Sequence, residues 1–129
     1  MNRAALIADD DPPLLNLLRT IVARSGDFDI VTCHDGEEAI RALAERHFDV
    51  VLLDLMMPRR NGFDVVEFLR ARRPAQLQVV LVLTAATDRF AERRDPSIVH
   101  ALVSKPFDAA EMVALIRNMF DGAWAGDAP

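Results

Sequence analysis

The sequence predicts an α/β protein: a (βα)5 three-layer sandwich with a five-stranded parallel sheet in order 2-1-3-4-5 and helices on both faces. Three observations lead there. Five short apolar runs alternate with longer amphipathic segments along 129 residues, a length that suits one domain. The apolar runs are continuous instead of alternating, as strands buried on both faces of a parallel sheet require. Helical segments connect the runs, and right-handed crossovers then leave few topologies.

Each element follows from local pattern. Ala4–Ala8 is a buried strand. Asp11–Arg24 is a helix, with Asp11 placed to cap it, prolines in its first turn, and Leu14, Leu15, Leu18, Ile21 and Val22 at helical spacing. Phe28–Cys33 is the second strand. Glu37–Arg46 is a helix with Ala39, Ile40, Leu43 and Ala44 as its apolar face and Asp35 or Gly36 at its start. Val50–Leu53 is the third strand, and Gly62–Arg72 a helix that ends before Pro74. Gln78–Leu83 is the most uniformly apolar run and reads as a central strand. Thr87–His100 gives at most two helical turns before Asp95-Pro96 breaks them, so the fourth helix is expected to be short or irregular. Val99–Ser104 is the fifth strand and Ala109–Phe120 the last helix. The flavodoxin-like strand order is the natural one for this length.

Composition narrows the function classes. Apolar residues make up 51% of the chain and charged residues 27%, enough for a core and a hydrated surface. The apolar runs are too short to span a bilayer, and acidic residues follow the N-terminus too closely for a secretory signal. A cytoplasmic location with no membrane contact is the expectation. The net charge of −5 argues against direct nucleic-acid binding by this domain. One cysteine, Cys33, excludes an internal disulfide framework, and no Cys/His spacing resembles a zinc site. His34, His47 and His100 are scattered and read as structural or surface residues. Of 15 basic residues only Lys105 is a lysine, which points to a position where a compact ammonium is needed and a guanidinium fork is not.

In an open parallel sheet the ligand crevice lies beyond the carboxyl ends of the strands. Strand one ends in Asp9-Asp10-Asp11, strand three in Asp54, strand four in Thr84, and strand five in Ser104-Lys105-Pro106. The predicted order makes these ends neighbours. Clustered carboxylates raise one another's pKa unless balanced, and an all-oxygen site with retained waters suits Mg²⁺. Lys105 and Thr84 add a cation and a hydroxyl suited to a phosphoryl dianion, so the set describes a phosphoryl-transfer site. Asp54, alone at the middle strand, is the candidate nucleophile for an acyl phosphate. Asp11 alone reads as a helix cap.

Asp9-Asp10, Asp54 with Met57-Pro58 and Gly62, Thr84-Ala85, and Lys105-Pro106-Phe107 resemble the receiver domain of two-component response regulators, over about Ala5 to Phe120. The resemblance implies that Asp54 is the phospho-acceptor, served by a histidine kinase or histidine phosphotransfer protein. It implies Asp10 as a direct Mg²⁺ ligand, Asp9 as an assistant through water, and Met56 as a ligand through its backbone carbonyl. Thr84 then engages the phosphoryl group, Lys105 pairs with it, and Lys105-Pro106 stands where this family often has a cis bond. Gly62 relaxes the loop into the third helix.

The same resemblance implies a signalling switch and not an enzyme, although such a domain takes part in its own phosphoryl transfer and slow autodephosphorylation. The switch region comprises Thr84, Ala85 and Leu102, where Leu102 replaces the family's usual aromatic. The family's Gly-Ala-containing turn before strand five is likewise replaced, by Pro96–His100. The basic group Arg89, Arg93 and Arg94 reads as a solvated face. Residues 1–121 are the expected receiver domain and 122–129 a flexible tail on which Trp124 could fold back. No output domain is expected after the fifth helix, so the chain reads either as a stand-alone receiver acting through protein contacts or as one excised from a longer regulator or hybrid kinase. Downstream, an unidentified protein or output domain, or a phosphorylation-dependent homodimer, would read the switch. A phosphorylation-independent pseudo-receiver acting as a binding module is the alternative. A phosphatase of the haloacid-dehalogenase type would want a second acid where Met56 stands.

Overall fold

The computed structural model describes residues 2–85 and 89–127, with residues 91, 93 and 121–127 described as backbone only. Five strands, β1 (Arg3–Ala8), β2 (Phe28–Cys33), β3 (Val50–Asp54), β4 (Val80–Thr84) and β5 (Ala101–Ser104), form one parallel sheet. Its order is β2-β1-β3-β4-β5. The helices are α1 (Pro12–Ser25), α2 (Gly36–Glu45), α3 (Gly62–Arg72), α4 (Phe90–Arg93) and α5 (Ala109–Asp127).

The continuous apolar runs are explained by burial on both faces. Val51 and Leu53 of β3 pack with Leu43 of α2 and Phe63, Val66 and Leu69 of α3. Val50 and Leu52, on the opposite face, pack with Leu18, Ile21 and Val22 of α1 and Met112 and Ile116 of α5. The four apolar side chains of β3 are fully buried, each stabilising the fold by about 1.5–3 kcal/mol. An alternating pattern here would have placed polar groups in one of the two cores.

Several boundaries differ from the sequence expectation, each for a local reason. Gln78 and Val79 belong to a 3₁₀ turn over Pro74–Val79 and not to β4. The buried Gln76 in that turn accepts the Phe48 N–H at 2.9 Å and donates to the Phe48 carbonyl at 2.8 Å, so a side chain takes the place of a strand neighbour. Val99 and His100 precede β5, following a 3₁₀ turn over Pro96–Ile98. Asp11 holds the N-cap position of α1, but its side chain makes no capping hydrogen bond; its N–H instead donates to Asp9 Oδ1 at 2.9 Å. Asp35 caps α2 by accepting the Glu38 N–H at 2.8 Å. The fourth helix is a single turn, as Asp95-Pro96 requires. Helix α5 continues past Phe120 to Asp127, while the side chains of Arg93 and Trp124 lie outside the described residues.

Helix α4 is fixed to α3 at two points. The Phe63 and Phe90 rings stack with centroids 5.6 Å apart, and Arg94 Nε reaches Glu67 Oε2 at 3.1 Å, where Glu67 also pairs with Arg70.

Candidate functional site

The strand order brings the carboxyl ends of β1, β3, β4 and β5 side by side, and the polar residues at those ends meet. Asp9, Asp10 and Asp54 each offer a carboxylate oxygen, and the three oxygens lie within 4.8 Å of one another. Asp10 is exposed, whereas Asp9 and Asp54 are buried.

Asp9 is held by backbone on both sides. Its N–H donates to the Cys33 carbonyl at 3.0 Å, and its Oδ1 accepts the Asp11 N–H at 2.9 Å. Its Oδ2 is buried without a hydrogen-bond partner. Burial pushes the Asp9 carboxyl up to about 6; the Asp11 N–H offsets part of this, and the negative charge of Asp54 adds to it. An orphaned carboxylate oxygen facing two more carboxylates is a set of hard oxygen donors that fits a divalent cation of the Mg²⁺ class.

Asp54 ends β3. Burial raises its pKa, while the Lys105 ammonium and the Met56 N–H pull it back. Lys105 Nζ donates to Asp54 Oδ1 at 2.8 Å, reaching from the end of β5 across β4. The Lys105-Pro106 peptide is cis, and the Lys105 N–H donates to the Thr84 carbonyl at 2.7 Å, tying the two strand ends together. Thr84 is half-buried next to Asp54's neighbour Leu83 in the sheet register.

Met56 is 60% exposed, so its side chain has no packing role. Leu102 is half-buried against the core beneath α2 and α3, and Ala85 directly follows Thr84 at the edge of the described segment. Arg89 lies in the left-handed region and is 3.5 Å from Glu92, and Arg94 is paired with Glu67, so these two arginines are engaged locally.

Gly62 has a sharper role than loop relaxation. A Cβ there would stand 2.7 Å from the Asp54 carbonyl oxygen and 2.7 Å from Leu55 Cα. Its N–H donates to the Leu55 carbonyl at 2.8 Å, so α3 begins pressed against the end of β3.

Sequence reasoning missed three supports of this loop. Arg59 pairs with Asp35 through Nη2 at 2.8 Å. Gly36 lets the Arg60 backbone press on the start of α2. Asn61 and Asp64 form a reciprocal capping box at the start of α3. Only the last carried a local signal, the Asn-x-x-Asp spacing before an apolar run; the other two join segments far apart in the chain.

Similarity to known proteins agrees with this fold. The chain is 40% identical over 124 residues to the DNA-binding response regulator MtrA of Mycolicibacterium smegmatis, covering 91% of this chain and 50% of that one. It is 35% identical over 127 residues to the transcriptional regulatory protein CpxR of Klebsiella pneumoniae, covering 91% and 48%. The chain thus spans about half the length of the curated relatives it matches. Its fold matches the signal receiver domain of a LuxO repressor protein from Vibrio parahaemolyticus, with TM-score 0.81, 20% identity and coverage of 98% and 96%. It also matches the receiver domain of a sensor histidine kinase from Pseudomonas aeruginosa, solved with a magnesium ion coordinated in its active-site cleft, with TM-score 0.77, 20% identity and coverage of 92% and 98%. Residues 5–117 match the response regulator receiver domain family, and the chain belongs to that family.

Proposed function

We propose that this chain is a magnesium-dependent phospho-accepting switch whose Asp54 takes a phosphoryl group from a histidine kinase or histidine phosphotransfer protein. The observation that carries the reading is the buried Asp54 carboxylate paired with Lys105 Nζ at 2.8 Å beside two further carboxylates. Asp9, Asp10, Asp54 and the Met56 backbone carbonyl would hold the ion. When bound, Mg²⁺ balances the acidic cluster and draws charge from the phosphoryl oxygens.

The chain's own residues do the rest. An Asp54 carboxylate oxygen attacks phosphorus in line, the P–N bond to the donor histidine breaks, and the imidazole leaves with the bonding pair. Lys105 then pairs with a phosphoryl oxygen and the Thr84 hydroxyl donates to another. Movement of Thr84 and Ala85 is passed to the segment packed by Leu102, changing contacts with a downstream protein, an output domain or a second copy of the chain. Water attack on phosphorus breaks the P–O bond and restores Asp54, the slow autodephosphorylation of a switch that is not an enzyme.

A shallow pocket of about 240 Å³ lined by Leu14, Leu17, Lys105, Pro106 and Phe107 opens beside the site, and Leu17 is 43% exposed; this supports docking of a donor protein there. Among the described residues no helix is long and apolar enough to cross a membrane; signalling in the cytoplasm is part of the proposal. The relatives are named as DNA-binding or transcriptional regulators, but a domain of net charge −5 is assigned no direct DNA contact. The clustered carboxylates and the Asp54–Lys105 pair also disfavour a phosphorylation-independent binding module.

Intact-mass measurement after incubation with a small phosphodonor and Mg²⁺ tests the reading. One phosphoryl adduct is expected in the wild type and none in Asp54→Ala. No adduct, or one that survives Asp54→Ala unchanged, overturns it.

A further inference from the structure

Residues 55–61 leave Asp54, carry Met56, and are tied at their far end to a part of the fold outside the acidic crevice. Arg59 Nε and Nη2 both bond Asp35 Oδ2, at 2.9 and 2.8 Å. Asp35 is 2% exposed, and its other oxygen accepts the Glu38 N–H at 2.8 Å as the cap of α2. The neighbouring contact is equally close: a Cβ on Gly36 would stand 2.0 Å from the Arg60 carbonyl oxygen, so loop backbone lies directly on the first residue of α2.

Arg59 achieves this at φ +64°, in the left-handed region where any side chain is strained and glycine is not. A glycine would suit the backbone better; what the arginine adds is the fork on Asp35. That acceptor also stands two residues beyond Cys33, whose carbonyl holds the Asp9 N–H at 3.0 Å. The ion pair therefore joins the segment between Asp54 and α3 to the segment that braces Asp9.

We infer that the Arg59–Asp35 ion pair is a positioning clamp for the phosphoryl-transfer site, fixing the Met56 segment relative to Asp9 and Asp54 so that cation and phosphoryl group meet a preformed crevice. The inference rests on the function proposed above. Arg59 touches none of the reacting groups; it acts through the loop backbone. In Arg59→Gly, loss of the partner of the buried Asp35 is opposed by relief of the left-handed backbone at residue 59, so the clamp's effect is read in affinity and rate.

Arg59→Gly, Asp35→Asn and the double variant of the full chain separate positioning from stability. The Asp35→Asn side chain keeps an oxygen for the Glu38 N–H and loses the charge that holds Arg59. Titration calorimetry with MgCl2 alone is expected to show about tenfold weaker binding in each single variant. The double variant should be no weaker than either single, because both remove one interaction. Phosphorylation by a small phosphodonor should slow in parallel, Arg59→Lys should recover part of the loss, and the metal-free melting temperature of Arg59→Gly should not fall. Wild-type Mg²⁺ affinity in Arg59→Gly, independent additive losses in the double variant, or losses that follow a fall in melting temperature overturn the clamp. Failure of the wild type itself to bind Mg²⁺ or accept phosphoryl overturns the proposed function, and the clamp with it.

Discussion

Gly62 stands so close to Asp54 that a methyl group on its Cα would lie 2.7 Å from the Asp54 carbonyl oxygen. The obstructing atom is backbone, so it cannot rotate away. Gly62→Ala is expected to force β3 and α3 apart and destabilise the protein by about 2 kcal/mol. Urea denaturation measures this, and phosphoryl acceptance by Asp54 should fall in the same variant. Unchanged stability would mean that the junction is softer than its geometry implies.

Lys105 holds Asp54 with a single ammonium while only 28% of its side chain is exposed. A planar guanidinium is wider and orients its donors as a fork. Lys105→Arg is therefore expected to impair signalling although the charge is kept, measured as loss of the phosphorylation-dependent change in partner binding. Wild-type output from that variant would show that charge alone suffices.

Asp9 gives a pH dependence with a definite sign. Its folded pKa of about 6 lies above the ordinary 3.8, so the folded state favours the protonated form. No penalty exists below about pH 4; stability of the metal-free protein is lost as pH rises toward 6, and the loss is complete above that. Asp9→Asn should remove this dependence and raise metal-free stability at pH 7 by up to about 3 kcal/mol. It should also abolish much of the stabilisation that added Mg²⁺ gives the wild type. Thermal melts across pH 4–8, with and without MgCl2, provide the measurement.

The two anchors of α4 should separate by kind. Phe90 is buried at 2% exposure against Phe63, so Phe90→Ala should cost about 3 kcal/mol in denaturant titrations. Glu67→Gln removes a surface pairing with Arg94 and Arg70 and should change global stability by less than about 1 kcal/mol. Its effect should be local: faster hydrogen exchange at Arg94, whose N–H donates to the Phe90 carbonyl at 2.8 Å. Unchanged exchange there would show that the ring stack alone holds the helix turn.

Much of the architecture was legible because both faces of the central strands β1, β3 and β4 are buried, which leaves uninterrupted apolar runs and points to a parallel sheet covered on both sides. The site followed from the same fact: once strand order is known, Asp9, Asp10, Asp54, Thr84 and Lys105 must share one edge. Strand starts were less legible. Gln78-Val79 and Val99 continue an apolar run yet sit in or beside 3₁₀ turns begun by Pro74 and Pro96, because apolar character reports burial and not backbone conformation. The Arg59–Asp35 pair left no trace, since its partners are 24 residues apart and Asp35 alone reads only as a helix start. Hydrophobic patterning specifies which surfaces meet; it does not specify which exposed charge finds which buried acceptor.

Among 15 basic side chains there is one lysine, and its Nζ lies on the Asp54 carboxylate. The chain therefore carries a single ε-amine, and that amine sits at the proposed phosphoryl-transfer site. An amine-directed acylating reagent has only Lys105 and the terminal amine to modify, without any mutation to remove competing sites. The rate at which Lys105 is acylated becomes a native chemical gauge of what Asp54 holds.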